Sequence, residues 1–320
     1  MTVEDWPKVA VIVLNWNGWR DTIECLGSLQ CITYPNYEII VVDNGSTDDS
    51  VEKLKEWAIK RWGPSLLAQK GREESEFQLR HGVLLSANIF LVQLPHNLGY
   101  AGGNNAGIRL ALEHGATYIW ILNNDTVVDS YSLSEMVRVA ETDPRIGVVG
   151  AKILFYEDPD VIYETWADVI LWAGLAFLHG YRKRDQGQLE TKREVHFVSG
   201  ACMLVRSETV ESVGLIDESF FMYCEDFDWQ IRMRKAGWKI VYCPSAKIWH
   251  KGGSSIGHGS SRHLYYVTKN SIRLVRRYSK HTLPLACTAH VLRLMRRLLR
   301  GQVSLAWAIA NGILDGLRER

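Results

Sequence analysis

Three carboxylates stand together in Phe220-Phe221-Met222-Tyr223-Cys224-Glu225-Asp226-Phe227-Asp228, behind an aromatic cluster suited to keep water away. A carboxylate so placed can take a proton from a hydroxyl, and either Glu225 or Asp226 fits the role of general base. Acids that open a helix also complement its macrodipole, so a purely structural explanation stands beside the chemical one. Asp228 and Arg232, four apart, read as an ordinary helical ion pair. Asp125 closes Asn123-Asn124-Asp125 directly after an apolar run, where it offers a hard oxygen to Mg²⁺ or Mn²⁺ unless it is only a turn former. His250, in Ile248-Trp249-His250-Lys251-Gly252-Gly253, ends another apolar segment. A lone histidine is more often structural, yet an imidazole with one carboxylate makes half a site for Mn²⁺.

Two further segments have double readings. Asp43, in Val41-Val42-Asp43-Asn44-Gly45-Ser46, either accepts from a pyrimidine imide or a ribose hydroxyl, or caps its own turn. The amides Asn104 and Asn105 lie in a glycine-rich stretch, Gly99 to Gly107. Such a stretch lets phosphate or sugar oxygens approach a helix N-terminus, or lets a helix pack tightly on a sheet.

The elements that must position these residues follow from periodicity. Val9 to Leu14, Glu38 to Val42, Ile89 to Leu94 and Tyr118 to Leu122 are apolar, β-branched runs, and helical stretches follow the first three near 19–30, 48–61 and 101–113. Four such repeats, with polar or glycine-rich residues at each strand's carboxyl end, predict an open α/β sheet, mostly parallel and flanked by helices. Ligands of such sheets bind at those carboxyl ends. Residues 63–86, with the charged piece Gln69 to Ser75, read as a surface insertion. Beyond Gly150 the pattern predicts a hairpin (151–156 and 195–206), a helix over 226–236, and short strands near 239–242 and 247–249. Trp166, Trp172, Phe177, His179, Tyr181 and Asp185 form either a sugar-binding wall or, for most of them, core.

The 320 residues carry 37 basic and 36 acidic side chains, a formal charge of +1, which gives no reason to expect nucleic acid as a partner. Six scattered cysteines without a C-x-x-C pair speak against zinc or a disulfide framework and for a reducing compartment. The acidic N-terminus lacks a secretory layout, and no apolar run reaches the roughly 18 to 20 residues a spanning helix needs, so a cytoplasmic location is expected. The last fifty residues read as a basic helical tail. Arg273, Arg276, Arg277 and Lys280, and again Arg293, Arg296, Arg297 and Arg300, follow the spacing of one helical face opposite apolar residues. That design suits the anionic cytoplasmic face of a membrane or a solvated face packed on the domain; the apolar 306–313 continues the anchor or forms a homodimer contact.

In this order, Val11 to Gly18, Val42 to Asp48, Asn97 to Asn105, Leu122 to Asp125, Ser199-Gly200-Ala201, Glu225 to Asp228 and His250 resemble the family two nucleotide-sugar glycosyltransferases, and the pattern is similar to rhamnosyltransferase-like enzymes of surface polysaccharide synthesis. The resemblance covers roughly 8–270 and implies a GT-A fold, with a nucleotide-sugar half over about 1–125, an acceptor half over about 126–270, and the tail at 271–320. It implies an inverting transfer from dTDP-rhamnose or a UDP-sugar to a saccharide or lipid-linked acceptor. Leu14 through its backbone, Trp16 and Asp43 would hold the nucleoside, with Asn104, Asn105, Asn123 and Asn124 near the rest of the donor. Asp125 would bind Mn²⁺ or Mg²⁺, with His250 as second ligand. Asp226 would be the base, Glu225 would orient hydroxyls, and Gly200-Ala201 would line the acceptor side. The family's metal motif often has two aspartates spaced one apart, and Asn123 takes the first place here, so cation affinity should depend on the donor's own diphosphate. Two rivals remain. A nucleotidyltransferase would want a basic glycine-rich loop where Asn15-Trp16-Asn17-Gly18 stands; a non-catalytic sugar-nucleotide-binding component has no need of a base opposite a metal.

Overall fold

In a computed structural model of the chain, β1 (Val9–Asn15) sends Val9, Val11 and Val13 to one face of the sheet and Ala10 and Ile12 to the other, all fully buried. A strand covered on both faces requires this unbroken apolar run. The structure describes residues 6–62, 82–86, 88–170, 172, 175–252 and 259–318. The charged piece at 69–75 and Gly253 lie outside them.

Four parallel strands form one half of the sheet in the order β4-β2-β1-β5, with β2 (Tyr37–Asp43), β4 (Ile89–Gln93) and β5 (Tyr118–Asn123). The short β3 (Gly82–Ser86) pairs antiparallel with β4 at the edge. Helices α1 (Trp19–Leu29) and α2 (Ser50–Trp62) bury Leu26, Leu29 and Leu54 on one face, and α3 (Gly99–Glu113) buries Ile108 and Leu110 on the other. These are the expected strand-helix repeats, with boundaries within about two residues.

Strand direction changes beyond β5. After β6 (Thr126–Val128) and α4 (Ser132–Ala140) comes β7 (Ile146–Phe155); β12 (Cys202–Arg206) lies antiparallel between β5 and β7, and β13 (Lys239–His250) runs parallel to β7 on its far side. The two short strands expected at 239–249 are therefore one strand, irregular between Cys243 and Lys247. The expected hairpin is instead two neighbours separated by a long excursion. It contains β8 (Ile162–Glu164), the two-stranded β9 (Ala167–Ile170) and β10 (Leu175–Leu178), and β11 (Arg193–Glu194). Fully buried Lys152 fastens the excursion to β7, with Nζ 2.8 Å from Asp185 and a second pairing to Glu190. A lysine without solvent needs such partners. Trp166 is core, but Trp172, Phe177 and Tyr181 are exposed, against the expectation that most of these aromatics are buried.

Helices α5 (Ser207–Val213) and α6 (Glu225–Lys235) pack beside the second half of the sheet, and three more close the chain: α7 (Ser261–Tyr278), α8 (Leu283–Leu299) and α9 (Val303–Arg318). The tail boundary placed at 271 falls inside α7. Three arginines of its first basic row are engaged within the molecule, while Lys280 is exposed: Arg277 pairs with Asp217 at 2.8 Å and Asp228 at 2.6 Å, Arg276 donates to the Gly316 and Leu317 carbonyls, and Arg273 donates to the Ser219 carbonyl. Asp228, fully buried, also accepts from Arg232, the helical pair read from the spacing, and from the Tyr278 hydroxyl. Ala306, Ala308 and Ile309 are buried, the last two in a small core with Leu264, so much of the 306–313 stretch packs within the molecule. The second basic row, on α8, stays at the surface. All six cysteines are free, with Cys25, Cys202 and Cys243 buried, Cys31 exposed, and Cys224 and Cys287 half-buried. Among the described residues no helix is long and apolar enough to cross a membrane.

Candidate active site

The register of the sheet assembles the site. β5 ends at Asn123 beside the carboxyl ends of β1 and β2, where Leu14 faces Asn123 and Asn15 faces Asp43. Because β12 is antiparallel to β5, its beginning lies at this same edge, and the Asn123 amide donates to the Ala201 carbonyl at 3.0 Å. Gly200-Ala201 thus arrives next to Asn123-Asn124-Asp125. β13 delivers His250 by pairing with Thr126 of β6, and the Lys251 amide closes the corner on the Asp125 carbonyl.

These ends surround one cavity of about 520 Å³. Leu14, Trp16, Asn123, Asn124 and Asp125 line it together with His250, Gly200, Ala201, Glu225 and Asp226. Asp43, Asn104 and Asn105, expected as donor contacts, lie behind it. Asp43 accepts from the Asn15 amide at 2.7 Å and from the Ser46 hydroxyl at 2.6 Å. Asn105 is locked to both the amide and carbonyl of Ile216, and Asn104 donates to the Tyr100 carbonyl. The hydrogen bonds of Asp43 and Asn105 fit the turn and packing reading of both segments, whereas Asn104 Oδ1 is buried without a partner.

On one side of the cavity, His250 Nε2 is 2.9 Å from Asp125 Oδ1. Both side chains are buried, His250 stands edge-on to the Tyr163 ring at 4.7 Å, and its Nδ1 has no hydrogen-bond partner. Two ligands in adjacent octahedral positions with bonds of about 2.1 Å stand about 3 Å apart, so this separation suits a shared cation as well as a hydrogen bond. One nitrogen and one hard oxygen suit Mn²⁺ or Mg²⁺. Among the described residues no third His, Cys, Asp or Glu completes a metal-binding group. The pair fits a cation that a ligand's own oxygens help to hold.

On the other side, Asp226 accepts from the Gly200 amide at 3.2 Å and from the Phe227 amide at 2.9 Å. A side chain at Gly200 would displace the acid: a Cβ there would stand 2.9 Å from both Asp226 Oδ2 and the Tyr100 hydroxyl, which itself donates to the Gly200 carbonyl at 2.6 Å. Burial raises the Asp226 carboxyl to about 6 despite the amide donors, and raises Glu225 well above the carboxylate range, with the neighbouring Asp226 adding to the effect. Two adjacent buried acids resist ionising together. Asp226 has two backbone donors for its anion, whereas Glu225 Oε2 has no partner, so of the two Asp226 is the more readily ionised.

The turn before these acids is strained. Phe221, Tyr223 and Cys224 all have positive φ, at 57°, 67° and 71°, and each such non-glycine residue costs on the order of 1–3 kcal/mol. Gly99 lets α3 approach it: the Tyr100 amide donates to the Phe221 carbonyl at 2.8 Å, and a Cβ on Gly99 would come within 2.2 Å of that oxygen.

Sequence reasoning missed Glu164 and Asn44. Glu164, at the end of β8, lines the cavity, hydrogen-bonds with Ser199 and is raised by burial to about 7. No spacing announces it, because its partners are distant in the chain. Asn44, beside the singled-out Asp43, ties Asn97, Leu98 and Gly99 to the end of β2.

Comparison with known proteins agrees with this architecture. The family model described as glycosyl transferase family 2 matches residues 10–214, and that of glycosyl transferase family group 2 matches 118–314. The chain belongs to glycosyl transferase family 2. It is 29% identical over 259 residues to an N-acetylglucosaminyl-diphospho-decaprenol L-rhamnosyltransferase of Mycobacterium tuberculosis, covering 75% of this chain and 74% of that protein. The solved structure of GalNAc-T7 with UDP, GalNAc and Mn²⁺ aligns with a TM-score of 0.64 at 17% identity over 85% of this chain, which spans about half (48%) of that one. A mannosyltransferase of Pyrobaculum calidifontis in complex with GDP-Man and Mn²⁺ aligns with a TM-score of 0.58 at 16% identity, over 99% and 88% of the two chains. The expected GT-A fold is the fold observed.

A buried carboxyl raised to about 6 in the folded protein, against about 3.9 unfolded, binds its proton more tightly when folded. Stability is therefore lost as pH rises from about 4 through about 6. Asp226→Asn should melt at a higher temperature than the unaltered protein at pH 7.5 and show little difference at pH 4; an equal or lower melting temperature at pH 7.5 contradicts this burial.

Proposed function

We propose that this family 2 glycosyltransferase transfers a sugar, with inversion, from a nucleoside-diphosphate donor to a saccharide or lipid-linked saccharide acceptor. The observation that carries the reading is that Asp125 with His250 and Asp226 with Glu225 line the same cavity. The rhamnosyltransferase relative favours dTDP-rhamnose as donor, with a UDP-hexose second.

Asp226, ionised at neutral pH and held by two backbone amides, takes the proton of the attacking hydroxyl. The hydroxyl oxygen forms its bond to the anomeric carbon while the bond to the diphosphate breaks, and the bonding pair leaves on the diphosphate. Glu225, protonated, and Glu164, beside Ser199, offer hydrogen bonds to sugar hydroxyls on the acceptor side. Leu14 and Trp16 flank the nucleoside. Asp125 and His250 would hold Mn²⁺ or Mg²⁺, which when bound supplies Lewis-acid stabilisation of the leaving diphosphate. No covalent link between sugar and protein is needed.

The α8 surface supports a membrane-facing role. Leu292, Met295 and Leu299 are exposed, Leu299 at 88%, alongside exposed Arg296 and Arg300, and Trp307 of α9 is exposed at 68%. Apolar side chains interleaved with arginines complement an anionic lipid surface on the cytoplasmic side.

Melting the protein with dTDP-rhamnose and UDP-hexoses, with and without Mn²⁺, identifies the donor by the rise in transition temperature. Asp125→Asn and His250→Ala should lose the Mn²⁺-dependent part of that rise. Asp226→Asn should keep the rise and lose release of nucleoside diphosphate; substantial turnover by that variant would remove the base assignment. Phosphatidylglycerol vesicles should sediment the protein, and a Leu292→Glu, Leu299→Glu variant should stay in the supernatant. Equal sedimentation of the two, or none of the unaltered protein, rejects the membrane face.

A further inference from the structure

The strained turn that aims Glu225 and Asp226 rests on a single side chain from outside the sheet. Asn270, in the middle of α7 and fully buried, points its amide nitrogen at the carbonyls of Phe220, Met222 and Tyr223 at 2.9, 2.8 and 2.9 Å. Two ring contacts from the same helix face flank this clamp. Tyr266 stacks on Phe221 at 5.5 Å between centroids, and His263 meets Tyr223 edge-on at 4.9 Å. Residues 263, 266 and 270 are spaced three and four apart, so one stripe of α7 serves as the back plate of the turn. On the opposite side the Tyr100 amide holds the Phe221 carbonyl.

We infer that Asn270 is a positioning residue for the transfer reaction, keeping Phe221, Tyr223 and Cys224 in their left-handed backbone and so fixing where the carboxyl of Asp226 points. A left-handed run of non-glycine residues persists only where its surroundings over-determine it. The carbonyls of such a turn, turned inward, need a donor, because a buried carbonyl without one is costly. The two N–H bonds of one amide are shared among three of them, of which the Phe220 carbonyl also accepts from the Met222 amide. The C-terminal helices are on this view part of the active site, and the chemistry depends on α7 being seated. The inference rests on Asp226 being the base for its effect on turnover, and on geometry alone for its effect on the turn.

Cys224 lies in the turn, half-buried, with its thiol pushed well above the usual range by burial, so it reports the turn directly. Asn270→Ala and the isosteric Asn270→Asp, in the full chain, are compared with the unaltered protein by peptide-resolved iodoacetamide labelling. Turnover of dTDP-rhamnose and of UDP-glucose with Mn²⁺, and binding of dTDP and UDP, are followed alongside. Where Asn270→Ala does not fold, Asn270→Ser carries the same comparison. The expected result is labelling of Cys224 faster by about tenfold or more, with Cys25 and Cys202 in the core unchanged; kcat falls by a similar factor while nucleotide affinity is kept. Unchanged Cys224 labelling overturns the inference, as does acceleration shared equally by Cys25 and Cys202. A loss confined to nucleotide affinity also overturns it. If Cys224 opens in these variants while Asp226→Asn retains full turnover, the clamp stands and the base assignment falls.

Discussion

The antiparallel pairing of β12 with β5 is the constraint on which the site depends. A parallel strand in that position would begin at the opposite edge of the sheet, and Gly200-Ala201 would lie far from Asp125. With Cys202 opposite Leu122, the segment before β12 must cross the carboxyl end of β5. The Gly200 amide then stands where it donates to Asp226, and the Gly200 carbonyl where it receives the Tyr100 hydroxyl. One reversed strand in a mostly parallel sheet joins the half of the chain that ends in Asp125 to the half that carries the acids.

Most of the first half of this arrangement was legible in the sequence. Unbroken apolar runs ending in Asn15, Asp43 and Asn123 have few structural meanings, and each proved to be a doubly covered strand with its polar end at the carboxyl edge of the sheet. The place of Asp125, His250, Glu225 and Asp226 at one cavity was legible for the same reason, each following or opening an element at that edge. Asp43 and Asn105 had two physical readings, and the sequence offers no means of telling a ligand contact from a buried side chain satisfied by a neighbouring turn. Glu164 was hidden because its meaning comes from Ser199 and Asp226, far along the chain. The tail was ambiguous through charge: arginines at helical spacing look alike whether they meet lipid or, like Arg277, a buried aspartate such as Asp228.

The environments of the two adjacent acids differ. Backbone amides favour the anion of Asp226, and burial with Oε2 lacking a partner favours the neutral form of Glu225. Holding such a pair in a turn with three left-handed side chains lowers stability locally, and the compensation comes from α3 on one side and α7 on the other. The fold thereby ties its last helices to the turn that precedes the two acids.

The stereochemistry of transfer tests the proposed mechanism most directly, because a base at Asp226 and a cation at Asp125 and His250, which line one cavity, would permit a single displacement. Proton NMR, recorded before mutarotation, reads the anomeric configuration of the sugar first released from the donor to water. The account predicts the configuration opposite to that of the donor. Retention of the donor's configuration would contradict it.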